Sequence, residues 1–92
     1  MIFYEWDDRK AELNYEKHDA RFEDIVFFEW DRALVKEDER FDYGEDRYNG
    51  IGPMENRLYQ VTFTLRNEVI RIISFRKANQ REIKQYESQA KI

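Results

Sequence analysis

The chain has no cysteine, which excludes both a disulfide framework and a thiolate metal site. A single histidine, His18, leaves one candidate for proton transfer by a group whose ordinary pKa lies near neutrality. The three glycines, Gly44, Gly50 and Gly52, are not spaced as a phosphate-cradling loop, and Ser74 has no Gly-x-Ser-x-Gly context for a serine nucleophile. No His/Asp/Glu constellation with ligand spacing occurs either, so neither a metal nor a nucleotide cofactor is expected. Long apolar runs are missing: nothing approaches the roughly 20 residues that span a bilayer. The opening Met1-Ile2-Phe3-Tyr4-Glu5-Trp6 is too short and too soon charged for a signal peptide, so the cytoplasm is the expected location, with no membrane partner.

What is present is aromatic and charged. Seven Phe, six Tyr and two Trp in 92 residues supply large apolar areas that offset chain entropy, as a folded protein requires despite 39% charged residues. That length accommodates one domain, residues 1–92, and leaves no room for a second. Charge is unevenly distributed: residues 1–70 carry ten Lys/Arg against eighteen acids, whereas residues 71–92 carry six against two. A cationic C-terminal part set against an acidic remainder suggests a local anion site, while the net charge of −4 argues against sequence-blind coating of nucleic acid.

Ile2 to Glu5 reads as a short strand, and Asp7 or Asp8 offers an N-cap for a helix over Arg9 to His18. Phe22, Ile25, Val26 and Trp30 follow the i, i+3, i+4, i+8 rule of a second, amphipathic helix. Ala33-Leu34-Val35 is a brief strand, followed by an exposed charged run over Lys36 to Arg40. Arg47 to Gly52 reads as a strand weakened by two glycines, and Pro53 to Asn56 as a turn. Leu58 to Leu65 alternates, with Tyr59, Val61, Phe63 and Leu65 on one face and Gln60, Thr62 and Thr64 on the other. After a connection at Arg66-Asn67-Glu68, Val69 to Arg76 is a central strand. An uninterrupted period of two places Ile70, Ile72, Ser74 and Arg76 on one face and Arg71, Ile73, Phe75 and Lys77 on the other. Asn79 and Glu82 form a capping box for a closing helix that presents Ile83, Tyr86 and Ala90. The sum is an α+β domain: an antiparallel sheet with two N-terminal helices and a C-terminal helix.

Arg71, Arg76 and Lys77 are the leading phosphate candidates, because a cation at a strand end is held by the ladder and can face developing charge. Structural ion pairs with upstream acids are the competing reading. The block from Asp38 to Tyr48 could line a cleft, with Glu45 as a base and Arg40 or Arg47 on phosphate, or it could be a solvated loop. His18 could act in proton transfer or simply complement the first helix's dipole.

Three blocks give these residues a family likeness. The first is Phe3-Tyr4-Glu5-Trp6-Asp7 with Lys10, Asn14, Lys17-His18 and Phe22-Glu23; the second, Glu37-Asp38-Glu39-Arg40 with Asp42-Tyr43-Gly44-Glu45 and Arg47-Tyr48; the third, Arg71-Ile72-Ile73-Ser74 with Arg76-Lys77-Ala78, Glu82 and Tyr86. In order and spacing the chain resembles the BrnT-type toxins of bacterial toxin–antitoxin pairs. The resemblance implies a RelE-like fold and an endoribonuclease that arrests translation, held inactive by a BrnA-like antitoxin through which alone DNA is contacted. It also implies metal-independent cleavage, with Arg47, Arg76 and Lys77 as cations, Glu45 or His18 as the proton-transfer group, and Tyr48 stacking on or bonding to a base. Arg40, Arg71 and Ser74 would assist binding of the RNA. Two positions depart from the family pattern: Asp19 stands where Gly is common, altering a turn, and Phe75 stands where Ala is usual, adding bulk near the site. The acidic balance implies weak unaided RNA binding, so the ribosome is a further expected partner. The rival from another class is a non-catalytic protein-interaction domain with an aromatic-rich surface. A DNA-binding regulator is disfavoured by the acidic balance and the lack of a recognition helix.

Overall fold

A computed structural model describes all residues except Phe41, Tyr43, Lys91 and Ile92, together with the side chain of Ala90. Part of the central block and the last residue of the closing helix's apolar stripe therefore lie outside the described residues.

The elements run β1 (Tyr4–Glu5), α1 (Asp8–His18), two 3-10 segments (Phe22–Phe27 and Trp30–Arg32), β2 (Leu34–Asp38), β3 (Arg47–Met54), β4 (Arg57–Arg66), β5 (Val69–Lys77) and α2 (Gln80–Ala90). Five strands form one sheet in the order β1-β5-β4-β3-β2. β2 to β5 are antiparallel neighbours, but β1 runs parallel to β5, with Tyr4 beside Ile70 and Glu5 beside Arg71. The α+β class stands, and the sheet is mixed rather than antiparallel. Two-residue β1 can pair in parallel because α1 and the whole intervening chain provide the long crossover such pairing needs.

Capping decides the helix ends. Asp7 accepts from the Lys10 N–H at 2.9 Å at the start of α1. At its end Asp19 adopts φ +55°, the left-handed conformation that makes glycine the easier residue there. At α2, Asn79 Oδ1 accepts from the Glu82 N–H and Glu82 Oε1 accepts from the Asn79 N–H, each at 2.9 Å.

The expected second α-helix is instead 3-10. Its buried residues are Phe22, Ile25 and Phe28, a period of three that matches 3-10 geometry, while Val26 is 63% exposed. These side chains join Val61, Phe63, Ile72 and Phe75 in the core, with Trp6 and Trp30 packed edge-on against Phe22 and Phe63. Gly52 is needed here, since a Cβ would stand 2.8 Å from the Phe28 ring and 3.0 Å from the Ala33 Cβ. β3 runs through Pro53 to Met54, so the turn is shorter than the sequence suggested. At the next hairpin, Asn67 and Glu68 take φ of +52° and +70°.

Asn14, buried on α1, completes the margin of β5. Past the end of β1 its Nδ2 donates to the Phe75 carbonyl at 2.7 Å, and its Oδ1 accepts from the Phe75 N–H at 3.1 Å.

Candidate active site

A bulge determines what faces what. In the β4–β5 ladder Thr62 pairs with Ser74 but Phe63 pairs with Ile72, leaving Ile73 as an extra residue. The period of two breaks there. Ile70, Ile72, Phe75 and Lys77 consequently stand on the face of Val61 and Phe63, and Arg71, Ser74 and Arg76 on the face of Thr64, Thr62 and Gln60. An unbroken strand would have separated Arg71 from Arg76.

The polar face opens into a groove of about 510 Å³, bounded by β2, the centres of β3 to β5 and the first turns of α2. Its lining includes Asp38, Arg40, Asn49, Gln60, Ser74 and Arg76. Three arginines, Arg40, Arg76 and Arg81, line it, and the bonds of the first two fix their place. Arg76 makes a two-pronged contact with Glu82 at 2.8 and 2.9 Å and also donates to the Lys77 carbonyl at 3.2 Å. These bonds use three of its N–H groups, leaving Nε–H and one N–H of Nη2 for an anion. Arg40 grips Asp38 through Nε and Nη2, both at 2.9 Å.

Both carboxyls titrate below their ordinary values. Asp38 is pulled well below the usual range, chiefly by the Arg40 hydrogen bond, against the opposing effect of burial. For Glu82 burial is the largest single influence and works upward, but the bonds from Arg76 and the Asn79 N–H, with the charges of Arg76 and Arg81, leave it lowered. His18 is lowered by burial, then by the charges of Lys17 and Arg76, so its imidazole is neutral at neutral pH. His18 closes α1 and does not line the groove.

Of the residues singled out from the sequence, Arg40, Ser74 and Arg76 line this groove. The others do not meet there. Lys77 is exposed opposite Tyr59, on the core side of the sheet, so Arg76 and Lys77 do not converge. Tyr48 stacks on Phe63 at 5.5 Å within the aromatic core, which removes its ring from the polar face. Glu45 bonds Arg66 at 3.1 Å and lies 3.7 Å from Arg47. Its carboxyl is lowered, first by Arg66, which weakens it as a base. Arg71 pairs with Glu5 at 3.6 Å. Phe75 is fully buried in the core, so its bulk is added there and not at the groove.

Asp38 came from the block that the sequence offered as a cleft lining, whereas Asn49, Gln60 and Glu82 were missed as groove residues. The available signal was the polar alternation of Gln60, Thr62 and Thr64. Among the described residues, no group of three or more His, Asp or Glu is assembled as a metal site, and no helix is long and apolar enough to cross a membrane.

Comparison with known proteins bears on what the groove serves. The crystal structure of the Brucella abortus ribonuclease toxin BrnT superposes with a TM-score of 0.70 at 27% identity, covering 87% of this chain and all of that one. No curated protein sequence matches the chain. The family model for the ribonuclease toxin BrnT of type II toxin–antitoxin systems matches residues 6–82, spanning α1, β2 to β5 and the Arg76–Glu82 contact. The chain belongs to the BrnT family of ribonuclease toxins.

Proposed function

We propose that the protein is an endoribonuclease toxin that cuts RNA in the polar groove without a metal ion and thereby inhibits translation. The observation that carries this reading is Arg76: its position is fixed by Glu82, it lines a groove large enough for a nucleotide, and two of its N–H groups are not used in its bonds to Glu82 and Lys77. In the reaction the ribose 2′-OH attacks the adjacent phosphorus. The 2′-O–P bond forms as the P–O5′ bond breaks, and O5′ takes a proton from water, leaving a 2′,3′-cyclic phosphate and a 5′-hydroxyl. Arg76, with Arg40 across the groove, offsets the charge that gathers on the phosphorane oxygens. The 2′-OH proton goes to His18, whose lowered pKa favours the neutral imidazole, once RNA bound in the groove extends to the end of α1; Glu45 is held by Arg66 and lowered, which weakens it as a base. Ser74 bonds the RNA at the groove floor, and Arg71, farther along the same face, holds a neighbouring phosphate.

The partner that silences the toxin is a BrnA-like antitoxin, through which DNA is reached indirectly. Ile2, Phe3, Val26 and Phe27 are each 51–63% exposed and offer apolar surface to such a protein. The acidic balance fits delivery of the message by the ribosome in the cytoplasm. The test is digestion of RNA by purified protein in excess EDTA. Cleavage is expected for the wild type, with a loss of roughly 100-fold or more in folded Arg76→Ala. Full activity in that variant rejects the site, and absence of cleavage together with absence of growth arrest on induction favours a non-catalytic binding domain.

A further inference from the structure

The groove floor is a chain of amides and hydroxyls whose orientation is set from one end. Ionised Asp38, gripped by Arg40, can only accept hydrogen bonds, so the bond it receives from Asn49 comes from Nδ2. Asn49 therefore turns Oδ1 the other way, where it accepts from Thr62 Oγ1 at 2.8 Å and from Gln60 Nε2 at 2.9 Å. Gln60 Nε2 also donates to Thr62 Oγ1 at 3.1 Å. Both amide protons of Gln60 are thus committed to the sheet face. The residue is 5% exposed and lines the groove, and among the described residues no donor is bonded to its Oε1. Gln60 Oε1 is not among the fully enclosed side-chain atoms that lack a hydrogen bond, so it keeps contact with the groove's solvent, and a donor entering the groove can take the place of water on it.

Gln60 sits directly across the ladder from Arg76, and Thr62 directly across from Ser74. An anion held by Arg76 would bring its nearest base over this oxygen. Resting on the ribonuclease reading above, we propose that Gln60 is a specificity-determining residue: its Oε1 accepts a hydrogen bond from the exocyclic amino group of the base beside the scissile phosphate. Asn49 and Asp38 are positioning residues that keep the amide this way round. Adenine and cytosine project such a group beyond the ring, and guanine carries one at N2. Uracil has none, and its N3–H lies between two carbonyl oxygens that would face the same acceptor. The groove therefore prefers an amine-bearing base to uracil.

The test maps the cleaved step in a mixed-sequence RNA, then compares the mapped base with its deamino analogue, purine for adenine, pyrimidin-2-one for cytosine or hypoxanthine for guanine. Wild type is expected to lose roughly threefold to tenfold in kcat/KM on the analogue, the value of one hydrogen bond. Gln60→Leu should cut both substrates at one rate. Asp38→Asn, which allows Asn49 and Gln60 to turn over, should shift the rate ratio of the pair toward one, a change that general loosening of the fold would not produce. If Gln60→Leu does not fold, the wild-type pair and Asp38→Asn still decide. Uracil at the mapped step, or equal wild-type rates on the pair, overturns this inference alone. Absence of cleavage on every RNA overturns the ribonuclease reading and this inference with it.

Discussion

On one side of the sheet Phe22, Ile25, Phe63, Ile72 and Phe75 fill a core in which direction matters little; on the other, Asp38, Asn49, Gln60 and Thr62 are tied by bonds that fix each atom's role. Phe75 and Arg76 show the contrast at adjacent positions. One is fully buried among aromatic rings, stacked on Tyr59 at 5.1 Å, and the other meets a carboxylate beside an open groove. Area removed from water sustains the first face. The second adds little net stability, because each hydrogen bond replaces one made to water, but it supplies geometry.

This contrast can be broken from either side. Phe75→Ala is expected to have the largest effect, removing about 3–5 kcal/mol of stability in urea denaturation by leaving a cavity. An unchanged midpoint would show that the core does not depend on this ring. Acidification strains the polar side instead. Folded Asp38 and Glu82 hold their protons less tightly than their ordinary values of 3.8 and 4.5. The unfolded chain therefore binds protons first as pH falls, and the stability these groups give is complete above those values and lost below them. Thermal melts from pH 6 to pH 3 should show this, with a shallower decline in Asp38→Asn. Gly52→Ala should cost about 1–3 kcal/mol, because the new methyl collides with Phe28 and Ala33 on the apolar side. Arg66→Ala, which removes an exposed partner of Glu45, should cost no more than about 1 kcal/mol. A separate kinetic prediction sharpens the role of the groove: cleavage should rise with pH through an acid limb below 6.5, since lowered His18 must be neutral to accept a proton. A limb above 6.5 would point to another base.

Local rules written in side chains were legible in the sequence. Asp7, Asn79 and Glu82 announced the helix starts, and the alternation along β4 announced its two faces. What was hidden depends on partners distant in the chain. Phe22 and Ile25 fit a 3.6-residue period as well as a period of three, and only the burial of Phe28 with the exposure of Val26 distinguishes them. The parallel pairing of β1 involves two residues, too few to carry a pattern. Most consequential is Ile73, whose apolar character is compatible with either face. Nothing in the sequence marks it as the bulged residue, yet its insertion determines that Arg71, Ser74 and Arg76 share one side. The groove was partly legible for the same reason: cations at the end of β5 stood out, whereas the uncharged amides that floor it looked like ordinary solvent-facing positions.

Asn14 carries one more implication. By closing on both main-chain groups of Phe75, a single amide does the work of another residue of β1 and seals the sheet against a foreign strand at that margin. β2 is left as the longer of the two outer strands. Self-association by strand addition is thereby steered to the end of the sheet beside the groove, where an incoming chain would crowd the entry used by RNA.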